Sequence, residues 1–365
     1  MKYLDLCNQG VDKLMTYEPG KPIEEVAREL GIDDPDSIIK LASNENALGP
    51  SPRALTAMSQ MAESIHLYPD GGAFYLREAI AAKLGVKPDQ ILPGNGSNEL
   101  IELLAHAFLG PDAGIVMADM SFVVYRLVAA AQNAPVISVP MKDFTHDLDA
   151  MLAAIEPSTR IVFVSNPNNP TGTMVSGKEL EAFVEQVPDH VIACIDEAYI
   201  ELLPPEKQPD MLKYIGSNRN VVVLRTFSKA YGLAGLRIGY AVADAECISL
   251  LHKVRQPFNV NSMAQAAAIA ALQDDEHVAS SRELVRDGLA YFEKEFTKAG
   301  LRFVPSVANF IMVEVGNGKE VFQMMQRKGV IVRPMAGQIS GWVRITVGTP
   351  EENLRCMKAL LECIK

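Results

Sequence analysis

The sequence predicts an α/β fold, in which a mostly parallel sheet is flanked by helices and a smaller α+β domain follows. In the middle of the chain, short runs of apolar and β-branched residues alternate with helical patterns. Most of these runs are apolar on both faces, as are strands that helices cover on both sides. After about residue 256 the alternation stops, and two helical stretches precede separate strands, which indicates the second domain.

The elements follow in chain order. We predict strands of the large sheet at Gly114–Ala118, Val136–Val139, Ile161–Val164, Val191–Ile195, Val221–Arg225 and Arg237–Val242. In the second domain we predict helices at Ser262–Leu272 and His277–Ala299, and strands at Phe310–Val315, Val330–Arg333 and Trp342–Val347. The predicted organisation is an N-terminal arm that also completes the small domain (residues 1–40), a large domain (41–255) and a small C-terminal domain (256–365).

Composition excludes several classes of function. The 365 residues are 48% hydrophobic and 22% charged, which is typical of a soluble globular protein. The net charge of −11 argues against a nucleic-acid or anionic-membrane partner, because no broad positive field would attract phosphates. An anionic ligand must therefore be held by local arginines or by helix N-termini.

The five cysteines are scattered and contain no CxxC pair, so we expect neither a disulfide framework nor a metal site. The N-terminus does not resemble a signal peptide, and no apolar run reaches the roughly 18 residues of a membrane span. We therefore expect a cytoplasmic protein.

Polar side chains follow three of the predicted strands at their carboxyl ends, where open α/β sheets bind ligands. Asn166 follows the first, Asp196 and Tyr199 the second, and Ser228 and Lys229 the third. They lie roughly thirty residues apart, the size of one βαβ unit. Each alone has an ordinary explanation as a helix cap, a turn residue or a solvated charge. Together they indicate a site on one rim of the sheet.

A lysine in a closed, partly apolar site has a lowered pKa and can attack a carbonyl. The carbonyl most often held in this way is the aldehyde of pyridoxal phosphate, whose ring nitrogen requires a carboxylate partner. Lys229 and Asp196 fit these two roles. Asn166 and Tyr199 would then bind the ring hydroxyl.

A phosphate site is predicted in "PGNGSNEL", where a glycine-rich turn leads into a helix. Backbone N–H groups at Gly96, Ser97 and Asn98, together with the helix dipole, form an anion site. Ser228 and Arg237 would complete it. The alternative is a dinucleotide loop, but the third glycine of GxGxxG is missing.

The segments "SNPNNPTG", "DEAY" and "TFSKAYGLAGLRIGY" are similar in order and spacing to the signature segments of fold-type I pyridoxal-phosphate aminotransferases. The segments "KLASNENALGPSP", "YPDGG", "PGNGSNELI", "QPFNVN", "SVANFI" and "VRITVGTPEEN" resemble the histidinol-phosphate aminotransferase family. The resemblance runs from about Tyr17 to the C-terminus.

This resemblance implies a seven-stranded sheet in the large domain and pyridoxal 5'-phosphate as cofactor. It implies that Lys229 bonds the cofactor and carries protons, and that Asp196 partners the ring nitrogen. The other implied cofactor contacts are Asn166 and Tyr199 at the ring hydroxyl and Gly96, Ser97, Asn98, Ser228 and Arg237 at the phosphate. Tyr68 of "YPD" would reach the phosphate from the other subunit, so the family implies a homodimer with shared active sites.

The ring-stacking aromatic of the family corresponds to Phe122 in "MSFVVYR". Many relatives have tyrosine there, so this is a departure. Stacking requires only the π face, which phenylalanine keeps; a hydroxyl contact would be lost. Core packing is the alternative role.

Histidinol phosphate carries a phosphate where an amino acid carries its α-carboxylate. The resemblance implies that Arg333 and Arg344 bind this anion, since arginine binds phosphate or carboxylate bidentately. A surface salt bridge is the alternative for Arg344. The resemblance also implies substrate contacts from Tyr17, Asn44 and Asn166, with Tyr17 in an arm that closes over the site.

The same arginine pair could hold a carboxylate, so an aromatic amino-acid aminotransferase is the alternative function. A threonine-phosphate decarboxylase and a ligand-sensing regulator of the same fold stay open. For the predicted reaction, glutamate and 2-oxoglutarate are the second substrate pair, because one site serves both half-reactions.

Overall fold

The computed structural model describes residues 3–7, 10–11, 14, 16, 20 and 22–364. Tyr17, predicted at the substrate, lies outside the described residues. The described residues form twelve α-helices, α1 to α12, at Ile23–Leu30, Pro52–Met61, Phe74–Leu84, Ser97–Phe108, Val124–Ala131, Leu148–Ala153, Gly177–Gln186, Ala245–Val254, Ser262–Leu272, Asp275–Lys298, Gly318–Arg327 and Pro350–Cys363.

The same residues form thirteen strands, β1 to β13, at Ile39–Lys40, Ile91–Gly94, Gly114–Ala118, Val136–Val139, Thr159–Ser165, Ile192–Asp196, Val221–Thr226, Gly239–Ala243, Phe303–Val304, Phe310–Glu314, Val330–Ile331, Arg333–Pro334 and Trp342–Thr346.

Within this part of the chain the central sheet has seven strands in the order β2-β8-β7-β6-β5-β3-β4. Strand β8 runs antiparallel to both of its neighbours, and the remaining pairs are parallel. Successive residues of β5 are buried on opposite faces, with Val162 and Val164 in one apolar cluster and Ile161 and Phe163 in another. The predicted α/β sheet is therefore observed.

One predicted strand of this sheet begins later than expected. The prediction started at Arg237, whereas β8 starts at Gly239. Arg237 has φ of 54°, which belongs to the left-handed region and cannot continue a strand. Arg237 therefore lies in the turn before β8, and the backbone of that turn determines the direction of its side chain.

The second sheet has the order β12-β13-β10-β9 and is antiparallel. The prediction of one strand at Val330–Arg333 was wrong: β11 pairs in parallel with β1, and β12 pairs with β13. Helix α10 begins at Asp275, before the predicted His277, because the Asp274 side chain caps its first turn. The domain boundaries stay a prediction.

The carboxyl ends of β5, β6 and β7 lie side by side. Ser165 pairs in register with Asp196, and Asp196 with Leu224. The residues that follow each strand therefore emerge at one rim. No helix in the described part of the chain is long and apolar enough to cross a membrane.

Candidate active site

Lys229 follows β7, and its amine is enclosed by backbone. Its Nζ donates to the carbonyl oxygens of Ser43 at 3.3 Å and Asn44 at 3.1 Å. Burial lowers the pKa of Lys229 to about 8, and the nearby Arg344 cation acts in the same direction. Roughly a tenth of the amine is therefore neutral, and nucleophilic, at pH 7, far more than for an ordinary lysine.

Asp196, the last residue of β6, is buried with both carboxylate oxygens partnered. Oδ2 accepts from the Tyr125 hydroxyl at 2.6 Å, and Oδ1 accepts from the Ala198 N–H at 3.1 Å. Burial raises the pKa of Asp196, while these hydrogen bonds and the Lys229 charge act in the opposite direction. Tyr125 was not predicted, although it follows Phe122 by nearly one helical turn in the segment quoted above.

Asn44 connects Lys229 to the other elements of the site. Its Nδ2 donates to the Tyr199 hydroxyl at 3.0 Å, and its backbone N–H donates to the Thr346 hydroxyl at 3.0 Å. Its carbonyl accepts from both Lys229 and the Asn309 amide. Asn44 and Tyr199 therefore lie beside the amine, as the predicted contacts require.

Asn166 lies on the same rim, where its backbone N–H donates to the Asp196 carbonyl at 2.9 Å. Its side-chain amide is paired with backbone: Nδ2 donates to the Val175 carbonyl at 3.2 Å and Oδ1 accepts from the Val175 N–H at 2.9 Å. Both polar atoms of this buried amide are therefore held by the segment that leads into α7.

At the predicted phosphate site two turns of the chain lie against each other. Gly96, with φ of 78°, precedes α4, and a Cβ there would lie 2.7 Å from Arg237 Nη2. A Cβ on Gly239 would lie 2.7 Å from the Ser97 nitrogen. The two glycines thus let the first turn of α4, with Ser97 and Asn98, meet Arg237.

Ser228 lies buried between Thr226 and Lys229, and its N–H donates to the Thr226 hydroxyl at 3.1 Å. Phe122 is partly buried, with its ring centroid 5.7 Å from that of Tyr125 at an interplanar angle of 85°. Asn98 and Phe122 also line a cavity of about 360 Å³ between α4 and α5. Phe122 therefore lies next to the residue that holds Asp196.

Arg333 and Arg344 face each other directly across the antiparallel pair β12 and β13, which puts both side chains on one face. Two positive charges therefore lie close together on this face of the sheet. Arg344 is buried, and its guanidinium donates to the Asn169 side chain and to the Ala42 carbonyl at 3.0 Å. Its Cζ lies 5.0 Å from the Phe310 ring centroid.

Arg344 is buried, whereas the alternative role considered for it was a surface salt bridge. Asn169 was not predicted as part of the site. It lies three residues after Asn166 in "SNPNNPTG", and the motif alone does not tell which asparagine contacts the arginine.

Tyr68 lies on the surface, 82% exposed, with its ring stacked on Phe258 at 4.6 Å between centroids. Other large apolar side chains near it in the chain are also exposed: Ile65, Leu67, Phe74 and Tyr75. We call this set, with Tyr68 and Phe258, the Tyr68 patch.

Residues 36–360 match the family model of class I and II aminotransferases. The chain belongs to this family. This aminotransferase is 50% identical to the histidinol-phosphate aminotransferase of Akkermansia muciniphila, over the full length of both proteins. It is 49% identical to that of Moorella thermoacetica, over 98% of this chain and 93% of the relative.

Its fold matches the crystal structure of histidinol-phosphate aminotransferase from Sinorhizobium meliloti in complex with pyridoxal-5'-phosphate. The TM-score is 0.89 at 28% identity, and the match covers 97% of this chain and 96% of the other. The predicted family and fold class are thereby confirmed.

Proposed function

We propose that the protein transfers the amino group of L-histidinol phosphate to 2-oxoglutarate, forming imidazole acetol phosphate and L-glutamate, with pyridoxal 5'-phosphate as cofactor. The observation that carries the proposal is the grouping of a buried lysine, a buried carboxylate and an arginine-lined anion site at one rim of the sheet. Full-length relatives named histidinol-phosphate aminotransferase support the substrate.

The residues present fit pyridoxal phosphate. The turns around Gly96 and Gly239 are too tight for side chains, which leaves the N–H groups of α4 and the Arg237 guanidinium for a phosphate. Asp196 supplies the buried carboxylate for the ring nitrogen, and Phe122 an aromatic face. Asn98, Ser228, Asn166 and Tyr199 complete the proposed contacts. When bound, the cofactor withdraws electrons from the carbon that carries the amino group.

Lys229 is the proposed covalent and proton-transferring residue. With a pKa of about 8, its Nζ is able to act as nucleophile and, once released, to take the proton from the substrate Cα. The carbonyls of Ser43 and Asn44 hold the amine beside Tyr199 while it is free. The same Nζ would then pass that proton to the cofactor carbon that takes over the amino group.

The arginine pair is the proposed substrate anion site. Arg333 and Arg344 would hold the phosphate of histidinol phosphate in one half-reaction and a carboxylate of 2-oxoglutarate in the other. Hydrogen bonds to the Asn169 side chain and the Ala42 carbonyl orient the Arg344 guanidinium. Asn44, Asn166 and Tyr17 are the further proposed substrate contacts.

We also propose a homodimer that covers the Tyr68 patch. Six large apolar side chains are exposed, five of them between Ile65 and Tyr75 and the sixth, Phe258, stacked on Tyr68, and exposed apolar groups of this kind mark interaction sites. Tyr68 would contact the cofactor phosphate of the partner's site. A cytoplasmic location stays a prediction; Cys194 and Cys356 are buried, free cysteines.

A half-reaction panel tests the function. Purified protein with bound cofactor is mixed separately with histidinol phosphate, phenylalanine, tyrosine and threonine phosphate, and the visible absorbance of the cofactor is followed. We expect conversion with histidinol phosphate. Conversion by phenylalanine alone would identify an aromatic aminotransferase, and release of carbon dioxide from threonine phosphate would identify a decarboxylase. Either result would contradict the proposal.

A further inference from the structure

Tyr125 lies in the first turn of α5 with its ring fully buried. The ring stacks on Phe163 of β5, with centroids 4.4 Å apart and planes 6° apart, and meets Phe122 edge-on at 5.7 Å. Contacts on a face and an edge fix the plane of a tyrosine ring. The position of the hydroxyl is therefore set by the protein before any ligand binds.

That hydroxyl donates to Asp196 Oδ2 at 2.6 Å. Hydrogen bonds from a hydroxyl to a carboxylate at this distance are among the stronger ones in proteins. The other carboxylate oxygen has the weaker, longer bond from the Ala198 N–H at 3.1 Å. Since a carboxylate has about four lone-pair positions, Asp196 keeps accepting capacity for a further donor.

Two opposing effects determine whether Asp196 is protonated. Burial favours its neutral form, and the Tyr125 hydrogen bond favours the ionised form. Tyr125 stays a donor, because burial and the Asp196 charge raise its pKa well above the ordinary value. A ligand that presents a protonated ring nitrogen to Asp196 would share that proton with a carboxylate whose charge is stabilised by Tyr125.

We propose that Tyr125 is a positioning residue that acts through Asp196: its hydroxyl keeps the shared proton on the ring nitrogen of the cofactor rather than on the carboxylate. The inference rests on the proposed function, in which Asp196 partners that nitrogen. Without the hydroxyl, a buried carboxylate is left with one protein donor and competes better for the proton. The cofactor then loses part of its electron-withdrawing capacity.

The Tyr125→Phe variant tests this, because it keeps the ring between Phe163 and Phe122 and deletes only the hydroxyl. With ¹⁵N-labelled pyridoxal phosphate, we expect the ring-nitrogen NMR signal to move toward that of an unprotonated nitrogen. The dissociation constant of the cofactor from the apoenzyme should rise by roughly 10-fold or less, because only the part of the hydrogen-bond energy that differs between the empty and the loaded site affects binding. Neither measurement depends on turnover.

Tyr214→Phe is the matched control. It also removes a tyrosine–carboxylate hydrogen bond, to Glu185 Oε1 at 3.2 Å, on a helix away from the rim. We expect neither the nitrogen signal nor the cofactor affinity to change. A second variant, with 3-fluorotyrosine at position 125, makes the hydroxyl a stronger donor and should move the nitrogen signal in the direction opposite to Tyr125→Phe.

The inference is overturned if Tyr125→Phe lowers thermal stability but leaves the nitrogen signal and the cofactor affinity unchanged. If that variant does not fold, the fluorotyrosine protein decides: an unchanged signal, or a shift toward the unprotonated form, overturns it. The Asp196→Asn variant distinguishes a failure of this inference from a failure of the proposed function. If Asp196→Asn also leaves the nitrogen protonated, the proposed role of Asp196 is wrong; if it does not, only the role of Tyr125 fails.

Discussion

At the carboxyl rim of the seven-stranded sheet the charged groups are held by neutral hydrogen-bonding groups, whereas on the four-stranded sheet two like charges lie opposite each other. Asp196 accepts from Tyr125 and Ala198, and the Lys229 amine donates to two carbonyls. Arg333 and Arg344 lie opposite each other across β12 and β13. The rim therefore presents charges held by neutral protein donors and acceptors, and the four-stranded sheet presents two positive charges on one face.

This difference matches the two kinds of ligand that an aminotransferase holds. A cofactor that stays bound favours rigid, fully partnered groups, because no reorganisation is then needed at each turnover. Substrates that alternate between half-reactions require a site that accepts different anions. The comparison predicts that changes at the rim abolish the chemistry, and that changes at the arginine pair weaken substrate binding.

The largest effect is expected at Lys229. Replacing it by Ala removes both the nucleophile and the proton carrier, so turnover should fall by at least roughly 10³-fold. The protein should also lose the cofactor label that borohydride reduction fixes covalently, which mass spectrometry detects. Lys213→Ala, which removes the surface pair with Glu181, is the control. Retention of the label without Lys229 would show that another residue bonds the cofactor.

A smaller effect, confined to substrate binding, is expected at Arg344. In Arg344→Gln, KM for both histidinol phosphate and 2-oxoglutarate should rise roughly 10- to 100-fold, because a charge-assisted hydrogen-bond pair to the anion is lost. Steady-state kinetics with each substrate varied measures this. Arg302→Gln, at an exposed arginine of the neighbouring β9 region, should change neither value. A rise for only one of the two substrates would mean that the anions bind at different places.

The two regions are coupled through the charge of Lys229. Its pKa of about 8 predicts that capture of added cofactor by the apoenzyme becomes faster as pH rises through about 8, since only the neutral amine attacks. Because the Arg344 cation contributes to the lowering, Arg344→Gln should move this midpoint to higher pH. Stopped-flow absorbance across the pH range measures both. A wild-type midpoint near the ordinary lysine value of 10.5 would contradict the structure.

The smallest effect on turnover is expected at Glu201, which lies in a turn after β6. Neither carboxylate oxygen of buried Glu201 has a hydrogen-bond partner among the described residues, and burial raises its pKa to about 7. The folded protein keeps this proton where the unfolded chain has released it, so stability falls as pH rises from about 4.5 through about 7.

Glutamine does not ionise, so Glu201→Gln removes this loss of stability at high pH. We expect the variant to be more stable than the wild type at pH 8, by roughly 1 to 3 kcal/mol, with turnover unchanged. Urea unfolding at pH 5 and pH 8 measures the difference. Glu181→Gln, at a surface pair, should show no such pH dependence. Equal stability of Glu201→Gln and wild type at pH 8 would show that Glu201 has found a partner in solution.

The rim was predictable because it depends on local sequence. Apolar runs locate the strands, and their carboxyl ends meet at one edge, so Asp196 and Lys229 could be placed together before their partners were known. The identity of the partners could not be predicted in the same way. Tyr125 reaches Asp196 from a helix after another strand, and a tyrosine in an apolar segment is equally compatible with core packing.

The small sheet was harder to predict for a related reason. The run at Val330–Arg333 is continuous in sequence, but its two halves pair with different partners, β1 and β13. Which partner each half takes depends on residues far away in the chain. For the same reason the contact of Arg344 with Ala42 left no local signal.

Asn44 connects the rim of the large sheet to the four-stranded sheet. Its carbonyl holds the Lys229 amine, its N–H is attached to Thr346 of β13, and its side chain is attached to Tyr199. A single residue in the left-handed conformation thus acts as a pivot between the reacting amine and the strand that carries Arg344. The lysine amine and the strand that carries Arg344 are therefore linked through the backbone of one residue.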